Sequence, residues 1–188
     1  SSYPGFVKKL EWEHRENMKK FQFWVPTIPL SEVSSRFRFL RKMYVKWFNF
    51  VSDFFPSGNR FEGSILNEGL DGVERSDDYW AYKLQSENVQ LRIIAGHDVI
   101  LKAEGSLGIG DVNYSTSEDL RKIMSRLKLF CLLVGINRIC FYVSPGTQLF
   151  ADLSGITSAQ EGLPVGFRSF EEGLDLSDLK FCYLDMDT

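Results

Sequence analysis

Apolar and polar residues recur along this chain with three different periods, and each period predicts a different kind of element. Near the start, GFVKKLEWE (5–13) and MKKFQFWV (18–25) are apolar-containing stretches separated by His14-Arg15-Glu16-Asn17. In the second stretch Phe21, Phe23 and Val25 alternate with Gln22 and Trp24, the period of a strand. The pair predicts a β-hairpin turning at 14–17, stopped by Pro26 and Pro29. Residues 31–55 carry the strongest helical period. At 100° per residue, Leu40, Met43, Tyr44, Trp47, Phe48, Phe50, Val51, Phe54 and Phe55 share one half of the wheel, while Arg41, Lys42, Lys46, Asn49, Ser52 and Asp53 share the other. This predicts one amphipathic helix of about 25 residues, roughly 37 Å long, capped by Ser31 or Ser34 and ended by Pro56-Ser57-Gly58. Its apolar face, with Leu40, Tyr44, Trp47, Val51 and Phe54, is expected to be buried against protein. An aromatic face with basic flanks also suits a helix lying on an anionic membrane.

Beyond the Gly/Asn/Asp-rich stretch 57–78, the period shortens to two. Tyr79–Leu84 reads as a short strand or the start of a helix. Val89–Ala95, Asp98–Ala103 and Leu107–Tyr114 read as successive strands, joined at Gly96-His97 and Glu104-Gly105-Ser106 as an antiparallel meander. Ser115-x-x-Glu118 has the spacing of a capping box, with Thr116-x-x-Asp119 one residue on. A helix over 117–134 follows, with Leu120, Ile123, Met124, Leu127, Phe130, Cys131 and Val134 at helical spacing and Gly135 as its stop. Ile139–Val143 is almost wholly apolar, as expected of a central strand covered on both faces and running parallel to 107–112. Thr147–Leu153 predicts a short helix. Val165–Phe170 and Leu179–Leu184 predict a closing pair of strands around an acidic loop with Glu171, Glu172, Asp175 and Asp178.

Charge adds a division that the periodicity does not show. The net charge of −3 splits into +6 over residues 1–60 and −9 over the remainder. An acidic body of that size repels phosphate backbones, so nucleic acid is not an expected partner. The three cysteines, Cys131, Cys140 and Cys182, sit in apolar runs and read as small buried hydrophobes in a reducing compartment. His14 and His97 show no ligand spacing to them, so no metal site is expected. No signal peptide is visible and no run of about 18 apolar residues occurs, which points to the cytoplasm. Opening on Ser1-Ser2, the sequence reads as a piece of a longer protein.

The order of strands and helices over 89–184 resembles the GNAT acyltransferases, which transfer acyl groups from coenzyme A. Ile139-Cys-Phe-Tyr-Val143, a turn, and then Leu149-Phe-Ala-Asp-Leu-Ser-Gly-Ile156 is similar to that family's central strand and the short helix after it. VGFRSF (165–170) and FCYLDMDT (181–188) resemble its last two strands, as in GNAT-like proteins of bacterial surface-polysaccharide loci. The resemblance implies an α+β fold: a mixed, mostly antiparallel sheet flanked by helices, preceded by the hairpin and the long helix. It divides the chain into 1–30 (a hairpin, by the same logic the end of a preceding GNAT half), 31–56 (a linker helix) and 57–188 (the GNAT-like domain). It also implies acetyl-coenzyme A or another acyl-coenzyme A as cofactor. The implied partner is a second GNAT-like half, or a second copy, engaged through the hairpin and helix 31–55.

The resemblance places the pyrophosphate at Asn113, Tyr114, Ser115, Thr116 and Ser117, where a helix start offers backbone N–H groups and a positive dipole end. Here that segment has no glycine and no cation before Arg121, and Glu118 and Asp119 bring negative charge. Gly105, Gly108 and Gly110 lie earlier and read as a turn and a bulge. Asp111 and Glu104 are the candidate catalytic carboxylates. Phe150 stands where the family's motif has a tyrosine that protonates the leaving thiolate, keeping the packing but not the proton. These departures predict a degenerate, non-catalytic half of an acyltransferase. The alternatives are a binding module that shares only the architecture, or a membrane-surface protein.

Overall fold

The computed structural model describes residues 13–86, 88–103, 105–167 and 178–186. Its framework is one six-stranded mixed sheet. The strands are β1 (Glu13–Trp24), β2 (Val89–Ile94), β3 (His97–Ala103), β4 (Leu107–Val112), β5 (Arg138–Val143) and β6 (Gln160–Phe167), in the order β2-β3-β4-β5-β1-β6. The β2–β3–β4 meander is antiparallel, β4 and β5 are parallel, and β1 runs antiparallel to both β5 and β6. The helices are α1 (Leu30–Ser35), α2 (Arg38–Ser52), α3 (Ser64–Asn67), α4 (Asp77–Leu84), α5 (Ser117–Val134) and α6 (Gln148–Ser154), with a closing 3-10 turn, Tyr183–Asp185. The chain is therefore α+β, with a central β5 parallel to β4.

Each face of the sheet packs a separate cluster. On one face Phe21, Phe23, Leu107, Ile109, Ile139, Phe141 and Val143 meet α2 through Phe48 and Val51, α5 along its whole apolar stripe, and α6 through Leu149 and Leu153. On the other, Val89 and Ile100 meet Ile65 of α3, Trp80 of α4, and Cys182 and Leu184 of the closing turn. β4 lies between the two, so all six of its residues are buried.

The 18 residues of α5 coincide with the predicted span, because each of its signals is local. Seven apolar side chains recur at helical spacing, and Gly135 stops the helix at φ 69°, ψ 47°, a left-handed conformation that glycine enters without a Cβ penalty. The capping box is one residue later than expected. Thr116 accepts from the Asp119 N–H, and Asp119 accepts from the Thr116 N–H. Tyr79–Leu84 falls within a helix, α4, whose start is capped by Ser76.

Five expectations need correction. β1 runs unbroken through His14–Asn17, where a hairpin turn was predicted. Two register shifts against β6 absorb its irregularity, and the other predicted strand (5–13) lies, up to residue 12, outside the described residues. β1 is also built into the main sheet rather than set apart as a separate hairpin. The 25-residue helix is broken at Arg36–Phe37, with Phe37 extended at φ −129°, ψ 119°. The break follows Val33, Ser34 and Ser35, all weak helix formers, and the Ser34 hydroxyl donates to the Ser31 carbonyl at 3.0 Å, competing with the helical ladder. α2 buries Phe48 and Val51 and half-buries Tyr44, but Leu40, Trp47 and Phe54 of the predicted buried face are exposed. Lastly, Leu179–Leu184 is not a strand. It makes a single bridge, Val143 to Cys182, and then turns, so β6 takes β1 as its partner instead.

Candidate functional site

The chemistry-bearing residues gather where β4 and β5 stop pairing. Leu107, Gly108 and Ile109 pair with Ile139, Cys140 and Phe141, and the parallel ladder ends there. Beyond it the closing segment takes the free edge of β5. The Ser144 N–H donates to the Phe181 carbonyl at 3.3 Å, and the Phe181 N–H donates to the Ser144 hydroxyl at 2.9 Å. Tyr183 lies over Gly108 so closely that a Cβ there would come within 2.6 Å of its ring. The same ring lies 4.7 Å from that of Tyr142 and under the Lys102 ammonium at 4.8 Å.

Asp111 reaches this side of the sheet because of a bulge. Ile100 pairs with Asp111 and Leu101 with Ile109, leaving Gly110 as the extra residue. Strict alternation would put Asp111 on the face of Leu107 and Ile109. The bulge turns it to the opposite face instead, together with Gly108 and Gly110, as the sequence reading of a bulge allowed. There its carboxylate accepts from the Ser64 N–H at 3.0 Å, the Ser64 hydroxyl at 2.6 Å, Arg75 Nη2 at 2.7 Å and the Val112 N–H at 2.8 Å. The residue is 1% exposed. With its lone pairs engaged and its charge matched by Arg75, Asp111, a candidate base by sequence, is held here as a buried anchor. The other candidate, Glu104, lies outside the described residues.

Arg75 is the hub that sequence reasoning missed, since it sits in the Gly/Asn/Asp-rich stretch and belongs to no motif. Its side chain is 2% exposed. Nη2 contacts Asp111, the Cys182 sulfur at 2.9 Å and Asp185 at 3.6 Å. The guanidinium lies 5.4, 6.0 and 5.8 Å from the ring centroids of Phe61, Tyr79 and Trp80, a three-walled aromatic cage. Burial disfavours its charge, but the Asp111 and Asp185 carboxylates outweigh that and raise its pKa. The Tyr79 hydroxyl donates to Asp185 at 2.8 Å, and burial foremost raises the tyrosine's pKa. Burial likewise pushes the Cys182 and Cys131 thiols up, so both stay protonated. All three cysteines are buried.

The predicted cofactor residues lie around the start of α5, and most of them already serve protein carboxylates. Tyr114 and Ser117 donate to opposite oxygens of Asp152 at 2.8 and 2.6 Å, fastening α6 to the first turn of α5. Burial raises the Tyr114 pKa, and the Asp152 acceptor raises it further. Thr116 is committed to Asp119. Asn113, Tyr114 and Ser115 line a cavity of about 160 Å³ with Glu68, whose carboxylate accepts the Gln148 N–H at 2.7 Å. On the far side of the Ser117–Asp152 contact, a second hollow of about 130 Å³ is lined by Arg121, Asp152 and Ile156. Phe150 packs edge-on to Phe21 at 5.5 Å and offers no proton.

An acyl-coenzyme A does not fit these residues. Its pyrophosphate would face Glu118, Asp119 and Asp152, where Lys122 is already 3.0 Å from Glu118 and 3.9 Å from Asp119 and Arg121 lies beside Asp152, against the preference of phosphate for backbone donors and unmatched positive charge at a helix start. A larger cavity, about 640 Å³, lies elsewhere, between α1, α2 and the turn after β3, and Asp111 and Asn113–Ser117 are not among its lining residues. Among the described residues, no cluster of His, Cys, Asp or Glu could hold a metal ion. Compared with known proteins, the chain matches no family model, no curated protein and no solved structure.

Proposed function

We propose that this chain is a GNAT-like domain without acyl-transfer chemistry, a non-catalytic module whose cofactor cleft is filled by its own residues. One observation carries the reading: the parallel β4–β5 ladder ends after Ile109 and Phe141, and Tyr183, Leu184 and the Arg75–Asp111–Asp185 cluster fill the ground beyond it. A parallel pair that parts at its ends, followed by a capped helix, is the arrangement the sequence resemblance leads one to look for. The carboxylates at the start of α5 and the absence of a hydroxyl on Phe150 remove what the chemistry needs. Calorimetric titration with acetyl-coenzyme A is expected to show no binding tighter than about 1 mM, worth only ~4 kcal/mol. Micromolar binding contradicts the reading.

A further inference from the structure

The outward side of α2 is apolar where a solvated helix would be polar. Phe39, Met43, Phe50 and Phe54 are 55% to 72% exposed. At 100° per residue Phe39, Met43 and Phe50 fall within an arc of about 40°, Phe54 just past the helix end packs edge-on to Phe50 at 5.2 Å, and Trp47 and Leu40 continue the stripe toward the core side. Trp47 donates to the Leu133 carbonyl at 3.1 Å, which sets the last turns of α5 beside the stripe, and there Leu129, Leu132 and Leu133 are exposed as well. Contiguous apolar surface of this kind marks an interaction site.

Charge identifies the occupant. Residues 36–52 hold five Lys/Arg and no Asp or Glu, and the later turns of α5 beside the stripe (125–134) add Arg126 and Lys128 with no Asp or Glu, on a chain whose remainder after residue 60 is net −9. Lys42 and Lys46 fall along the border of the aromatic stripe. We propose that this face docks on an anionic lipid surface. α2 lies in the interfacial plane with its aromatic side chains at the acyl boundary and its Lys/Arg side chains among the headgroup phosphates. No described helix is long and apolar enough to cross a membrane, so α2 lies on the bilayer without spanning it. A second copy fits less well. A twofold contact sets the same patch against itself, opposing Lys/Arg to Lys/Arg with no carboxylate on either helix segment to match them.

The test is flotation of the full chain with vesicles of phosphatidylcholine plus phosphatidylserine, and with phosphatidylcholine alone. The mixed vesicles are expected to bind at least about tenfold more tightly, with affinity falling as salt rises. K42E/K46E should weaken binding by roughly tenfold or more, and F39S/F50S/F54S should abolish it, while both variants keep the native melting temperature because these side chains are exposed. Failure to float with mixed vesicles overturns the proposal, as does equal binding to both compositions. A wild-type dimer that F39S/F50S/F54S dissociates, without flotation, assigns the face to a second copy and overturns it too. Coenzyme A plays no part in this assay, so its outcome is independent of the acetyl-coenzyme A titration.

Discussion

Arg75 shows how much one side chain can organise without touching a ligand. It joins the end of β4, the α3–α4 segment and the closing turn, through Asp111, Tyr79, Trp80 and Asp185. Removing one partner of a buried pair leaves an uncompensated charge, so Arg75→Met is expected to cost about 3–5 kcal/mol in urea unfolding. Arg75→Met with Asp111→Leu should recover part of that loss, because the second change removes the stranded carboxylate. If Arg75→Met is as stable as the wild type, the cluster is not the anchor described. Asp152 gives a second test, with a defined pH sign. Burial opposes its charge, but the Ser117 and Tyr114 hydroxyls hold its pKa below the ordinary value of 3.8. The ionised form therefore contributes stability above that value, and the contribution is lost as pH falls through the folded-state pKa. Asp152→Ala should cost about 1–2 kcal/mol at neutral pH. The gap between variant and wild type should narrow below about pH 4, as followed by thermal melts across pH.

At the level of elements, what could be read from sequence divides by how local its cause is. The bounds of α5, the β2–β4 meander and the buried β5 follow from periodicity, turn residues and a cap within a few positions of each element. The break between α1 and α2 was missed because an amphipathic period survives a kink. The exposure of the α2 stripe was missed because periodicity shows only that an apolar face exists, not what covers it. Trp47 makes the consequence measurable. Burial of the whole face would make Trp47→Ala cost about 3–5 kcal/mol, but with the indole 44% exposed and held by one hydrogen bond to Leu133, a cost of about 1 kcal/mol is expected from chemical denaturation. A loss near the larger figure means that α2 packs on protein in solution.

Across the whole molecule, the features that sequence could not supply are the long-range ones. β1 enters the sheet between β5 and β6, so the first described strand lies inside a sheet otherwise made from residues 89–167. The Gly110 bulge reverses the face of Asp111, and a single extra residue turns a candidate base into an anchor. The carboxylates around the start of α5 were visible in sequence as Glu118 and Asp119, whereas Asp152 comes to the same place only through the docking of α6. On the function proposed above, the cleft of this sheet is closed from within, and amide hydrogen exchange tests that closure most directly. Exchange at Gly108–Val112 and Cys182–Asp185 should be slow and unchanged by a large excess of acetyl-coenzyme A, because the closing turn already fills the cleft. Faster exchange at Cys182–Asp185 on adding the cofactor, with new protection at Gly108–Val112, would mean that acetyl-coenzyme A displaces the turn and that the cleft is a working site.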